Sequence, residues 1–161
     1  DLSLIVNRKT VDPSDLSSPA VYQLETAMGS ALSLFQDAMA LDVPRYRFVP
    51  VKTTDDLLAV WSDLFVLTED HHMVMNPTRD AGPIEVRLDP TYYRNLTDFE
   101  ARFREGPPSL LGCRSVKIEG DFMFGRGVIL EGHVTLQNTS NQQASVEDNT
   151  TLSGKTTIQD T

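Results

Sequence analysis

Residues 116–158 carry a six-residue repeat, and little else in the chain restricts the fold so strongly. Val116, Phe122, Val128 and Val134 lie six apart, and so do Ile118, Phe124, Leu130 and Leu136. The first series passes over Ser140 and resumes in phase at Val146, Leu152 and Ile158. Gly120 and Gly132 fall two residues after the second apolar position, where a turn is needed. Paired apolar residues separated by small or polar ones at this period are the signature of a parallel β-helix. Each hexad supplies one short strand and a corner, so the segment makes roughly two and a half coils of eighteen residues. So short a coil needs a cap or a partner at its end, and stacking between subunits would serve. The polar stretch Asn138–Ser145 reads as a loop bulging from the coil.

The opening third reads as strand, helix, strand, helix, which suggests an α/β layer structure. Leu2, Leu4 and Val6 alternate as a strand does. A strand at the first residue needs neighbours, so the chain reads as the back part of a longer protein. Ser17, Ser18 and Pro19 offer a helix start. Leu24, Met28, Ala31, Phe35 and Ala38 then give one apolar face to a helix over 21–40, ended at Val43-Pro44. Arg47–Val51 reads as a short strand. Thr53-Thr54-Asp55-Asp56 is a capping sequence, with Thr53 as the cap and Asp56 three residues on. Leu57, Trp61, Leu64 and Phe65 give the helix that follows its buried face. Further on, Ile84, Val86 and Leu88 alternate as a strand. Tyr92, Leu96, Phe99 and Phe103 sit at helical spacing until Gly106-Pro107-Pro108 breaks the chain. The domain division implied is 1–105 and 106–161.

In open α/β sheets ligands bind beyond the carboxyl ends of the strands. Lys9 and Lys52, the only lysines in the first 116 residues, fall there on this reading. Lys52 directly precedes a helix N-terminus, where a mobile cation adds to a site that already favours anions. The plainer reading is that Lys52 offsets Asp55 and Asp56, which would themselves repel a phosphate.

The 161 residues have a net charge of −9. Both halves are acidic, which argues against nucleic acid and against an anionic membrane as partner. The apolar runs are far short of the roughly 20 residues of a membrane helix. A single cysteine, Cys113, allows no intrachain disulfide and points to a reducing, cytoplasmic setting. His71-His72 has no third ligand at suitable spacing, so no metal site is assigned.

Several stretches together resemble one enzyme family. They are Asn7-Arg8-Lys9-Thr10; Gln23-Leu24-Glu25-Thr26-Ala27-Met28-Gly29; Val43-Pro44-Arg45-Tyr46-Arg47-Phe48; and Pro50-Val51-Lys52-Thr53-Thr54-Asp55-Asp56-Leu57-Leu58. Asp98–Phe103 and Gly120–Gly125 agree in order and approximate spacing. The family is that of UTP–glucose-1-phosphate uridylyltransferase, also called UDP-glucose pyrophosphorylase. The resemblance implies the C-terminal part of a mixed-sheet nucleotidyltransferase domain, followed by a small left-handed β-helix that makes subunit contacts in several members. It implies transfer of a uridylyl group from UTP to glucose 1-phosphate, with Mg²⁺ and release of diphosphate. Lys52 matches the lysine that contacts the phosphates and is the candidate catalytic residue. Lys9, in the Asn-x-Lys motif, would support the same phosphates. Gln23, Glu25 and Thr26 belong to a family motif; on a helix Gln23 and Thr26 would share a face, and packing against the sheet is the plainer reading of all three. The family's glycine-rich nucleotide loop, its sugar- and uracil-binding residues and its metal-binding Asp have no match here. The isolated chain is therefore expected to be inactive. Two other readings stand beside this one. The first is a non-catalytic β-helix oligomerisation module. The second is a hexapeptide acyltransferase, invited by His133.

Overall fold

The computed structural model describes residues 3–13, 15, 17–44 and 47–158. Leu2, Arg45 and Tyr46 therefore lie outside the described residues. The chain divides into two compact units, Asp1–Val43 and Pro44–Thr161.

The first unit is an antiparallel hairpin followed by a 3₁₀ helix. Strands β1 (Leu4–Thr10) and β2 (Ala20–Thr26) pair from Leu4↔Thr26 to Thr10↔Ala20. Val11 N–H to the Pro19 carbonyl and Ala27 N–H to the Ser3 carbonyl extend the ladder at both ends. The helix expected over 21–40 is thereby corrected: its first turns are strand β2. Val21, Tyr22 and Thr26 are residues that strands favour, and their backbone groups bond to β1. Only Met28–Leu34 is helical, as a 3₁₀ helix. The expected helix start at Ser17–Pro19 instead closes the connection between the strands, where the Ser18 hydroxyl accepts the Asp12 N–H at 3.0 Å.

The second unit is mixed α/β and holds the core. No strand forms over 47–51. Helix α1 (Thr54–Trp61) begins with the full capping box expected of Thr53 and Asp56. Its fully buried residue is Leu58, while Leu57 is half-buried and Trp61 is 44% exposed. Leu64 is buried but lies beyond the end of α1, and Phe65 begins the next strand, so the helix is shorter than its apolar spacing suggests. Strands β3 (Phe65–Leu67) and β4 (Met73–Met75) form an antiparallel hairpin. The chain continues through β5 (Glu85–Leu88), α2 (Pro90–Tyr93) and α3 (Leu96–Arg102). It then enters β6 (Cys113–Glu119), β7 (Phe122–Phe124), β8 (Ile129–Asn138), β9 (Ala144–Val146) and β10 (Thr151–Ile158).

From β5 onward all strand pairing is parallel, in a four-stranded sheet ordered β10-β8-β6-β5 and a two-stranded sheet β7-β9. Parallel pairing is what the hexad period predicts. All eight hexad positions from Val116 to Leu136 are at most 1% exposed. Val116 pairs with Val134 and Ile118 with Leu136, eighteen residues apart. The later phase differs from the sequence reading. Phe124 pairs with Val146 and Leu130 with Leu152, twenty-two apart. The polar loop after Asn138 inserts four residues, so Val146 stacks on the Phe124 series and not on the Val128 series. A bulge at Ser153/Gly154 then shortens the offset, and Ile158 pairs with Asn138.

Tilted and stacked rings join the helices to the parallel strands. Centroids are 5.9 Å apart for Trp61–Phe99, 4.9 Å for Phe99–Phe103 and 4.8 Å for Phe103–Phe124. The Tyr93 hydroxyl, fully buried, donates to the Phe122 carbonyl at 3.0 Å. No helix among the described residues is long and apolar enough to cross a membrane.

Candidate functional site

The candidate residues fall in both units. Lys9 is exposed in the first unit, inside β1 and opposite Val21, not beyond the end of the strand. Residues directly opposite in an antiparallel pair share a face, as do residues two apart on one strand. Asn7 stands opposite Gln23, and Ile5 opposite Glu25. Asn7, Lys9, Gln23 and Glu25 therefore lie on one face of the hairpin, and Thr26 on the other. The helical grouping of Gln23 with Thr26 is corrected accordingly. Both sequence motifs meet on this face, a juxtaposition that a helix over 21–40 would not allow.

Lys52 lies in the second unit, exposed, in the residue before the Thr53 cap. One carboxylate oxygen of Asp56 organises this corner. Asp56 Oδ2 accepts the Lys52 N–H at 2.9 Å, the Thr53 N–H at 3.0 Å and the Thr53 hydroxyl at 3.0 Å. The Thr53 hydroxyl accepts the Asp56 N–H in return at 3.4 Å. The Lys52 N–H, above all, holds the Asp56 carboxyl below its ordinary value. Asp55 does different work: it accepts the Leu88 N–H at 3.1 Å and ties the start of α1 to the end of β5. Burial pushes its carboxyl up. The two acids that seemed set against a phosphate are thus both engaged by backbone donors. Lys52 makes no ion pair among the described residues.

A cavity of about 740 Å³ lies next to this corner and is walled mainly by apolar residues such as Phe48, Val60, Phe65 and Met73. Asp56 and Arg79 are its charged lining, and Lys52 is not part of it. Arg79 is 9% exposed, and its guanidinium donates to the carbonyls of Gly82, Leu110, Leu111 and Cys113 at 2.7–2.9 Å. It is occupied by the backbone it clamps and offers little to a ligand. An apolar hollow of this kind does not suit a triphosphate, so the phosphate-binding candidate is the exposed Lys52 corner. Sequence reasoning missed Arg79, whose partners lie up to 34 residues away.

Among the described residues no group of three or more His, Cys, Asp or Glu side chains is placed to hold a metal. His133 is exposed, with Nδ1 2.8 Å from the Ser115 hydroxyl. Cys113 is buried, and burial raises its thiol.

Comparison with known proteins joins these features to one family. The family model described as UTP--glucose-1-phosphate uridylyltransferase matches residues 1–131. The uridylyltransferase of Solanum tuberosum is 38% identical over 146 residues, covering 89% of this chain and 30% of the relative's length. That of Hordeum vulgare is 38% identical with the same coverage. Among solved structures, the UDP-glucose pyrophosphorylase of Leishmania major superposes with a TM-score of 0.80 at 44% identity, covering 99% of this chain and 33% of that one. The UDP-glucose phosphorylase of Trypanosoma brucei gives a TM-score of 0.86 at 39% identity, covering 98% and 34%. The chain thus spans about a third of the length of the relatives it matches. On the extent of that match, the chain belongs to the UTP–glucose-1-phosphate uridylyltransferase family.

Proposed function

We propose that these residues form the C-terminal third of an enzyme that makes UDP-glucose and diphosphate from UTP and glucose 1-phosphate. In that reaction a phosphate oxygen of the sugar phosphate forms a bond to the α-phosphorus of UTP. The bond from that phosphorus to the departing diphosphate breaks. Such chemistry is mainly positioning and charge stabilisation, so a cation at the phosphates is the natural contribution of this part of the protein. Lys52 supplies it. Lys9, exposed on the hairpin face it shares with Asn7 and Gln23, is the second phosphate-binding candidate. The Mg²⁺ that the family uses, the uracil pocket and the sugar pocket belong to the remaining length.

The observation that carries this reading is the Lys52 corner. An exposed ammonium precedes a capped helix whose two nearest acids are held by backbone N–H groups. It stands in a stretch that the family model spans. On the same reading, residues 1–105 continue the nucleotidyltransferase domain, and residues 106–161 form a left-handed β-helix. The Tyr93–Phe122 bond and the Phe103–Phe124 stack would be their seam. A single buried thiol suits a reducing, cytoplasmic compartment.

The test is simple. The purified chain alone is expected to form no UDP-glucose from UTP, glucose 1-phosphate and Mg²⁺. The same residues within the full-length polypeptide are expected to form it. Robust synthesis by the isolated chain would overturn the division of labour.

A role in assembly is compatible with this one. Strand β10 is the outer strand of the four-stranded sheet, and its Leu152 and Ile158 are only half-buried. An outer strand with unpaired backbone groups invites a second copy. Sedimentation is expected to show concentration-dependent association, and a strictly monomeric species at high concentration would exclude it.

A further inference from the structure

Asp56 does more than a helix cap requires. In a capping box, the third residue of the helix needs to reach only the N–H of the capping residue. Here the same oxygen also takes the N–H of Lys52, one residue further out. A cap bond fixes the first turn of α1. The additional bond fixes the backbone from which the Lys52 side chain springs. Asp55, next to it, cannot substitute, because its carboxylate is committed to Leu88. The acid is ionised at neutral pH, since the donors around it favour its charged form.

We propose that Asp56 is a positioning residue for Lys52, holding its backbone so that the ammonium stands at one place when phosphates are bound. This rests on the assignment of Lys52 to the phosphates. Without Asp56 the Lys52 N–H loses its acceptor and the residue before the helix is free to turn. A shift of about 1 Å in a group that must meet a transition state can cost about a hundredfold in rate. Asp56 touches neither substrate nor reacting atom on this account; it acts through Lys52 alone.

The test is a double-mutant cycle in the full-length enzyme, with Lys52→Ala, Asp56→Ala and both together. Turnover and diphosphate affinity by calorimetry are measured for each, with melting curves to confirm folding. Lys52→Ala is expected to lower both strongly. Asp56→Ala is expected to lower turnover about ten- to a hundredfold in the wild-type background and to cost nothing further once Lys52 is gone. Asp56→Asn keeps an acceptor oxygen and is expected to recover most of the loss. It also serves if the alanine variant fails to fold. If Lys52→Ala behaves as wild type, the assignment of Lys52 fails and takes this inference with it. If Lys52→Ala is impaired but Asp56→Ala is not, or the two losses simply multiply, the assignment of Lys52 stands and the positioning role of Asp56 is overturned.

Discussion

Arg102 and Asp121 form a two-pronged salt bridge, Nε to Oδ1 at 2.9 Å and Nη2 to Oδ2 at 3.0 Å. It ties helix α3 to the turn that enters β7. The two side chains are 13% and 19% exposed, and the guanidinium lies 5.4 Å from the Tyr92 ring centroid and 5.6 Å from that of Tyr93. Removing one partner of such a pair strands the other charge away from water. Arg102→Met is expected to lose about 3 kcal/mol in urea denaturation. Adding Asp121→Asn should restore part of the loss. A single variant as stable as wild type would show that the pair contributes nothing net.

Gly120 and Gly132 both have positive φ, but their surroundings differ. Gly120 has φ of +91°, and a Cβ there would meet the Asn138 carbonyl oxygen head-on. Gly132 has φ of +63° with nothing within 4 Å of the added atom. Gly132→Ala is therefore expected to cost only the left-handed backbone strain, about 1–2 kcal/mol. Gly120→Ala adds a backbone clash and is expected to exceed about 3 kcal/mol in the same denaturation assay. Equal costs at the two positions would contradict the close approach of β8 to the Gly120 turn.

Asp55 and Asp56 are neighbours with opposite pH behaviour. The folded value of Asp56 is lowered, chiefly by the Lys52 N–H. Its contribution to stability is therefore full above the ordinary carboxylate value of 3.8 and is lost as pH falls through the folded value. The folded value of Asp55 is raised by burial. Its ionised form costs stability at neutral pH, and that cost disappears as pH falls through the raised value towards 3.8. Asp55→Asn is expected to be neutral or stabilising at pH 7, and Asp56→Asn destabilising, with both differences fading in acid. Melting temperatures from pH 3 to pH 7 check the signs.

What was legible in the sequence was what depends on near neighbours or on a strict period. The Thr53–Asp56 capping box needs residues three apart, and it formed as read. The hexad positions from Val116 to Leu136 are buried because each rung repeats the same environment. Leu24, Met28, Ala31 and Phe35 misled because their helical spacing competes with a strand partner, residues 4–10, that local patterning cannot see. Val146 kept a six-residue phase by arithmetic coincidence, since the inserted loop moved it onto the Phe124 series. Asn138 looked like a loop residue, yet its amide is buried and donates to the Asp121 and Gln142 carbonyls at 2.8 Å, anchoring that loop. Beside Lys52, the Thr53 cap was readable. The bond from Asp56 back to Lys52 was not, because the capping pattern predicts only the contact with Thr53.

The most direct measurement is steady-state turnover of UTP and glucose 1-phosphate by the full-length enzyme carrying Lys52→Ala, with its fold verified by melting. Loss of a preorganised charge at the reacting phosphates predicts a fall in kcat of at least about a hundredfold. Turnover equal to wild type would remove Lys52 from the chemistry and contradict the account.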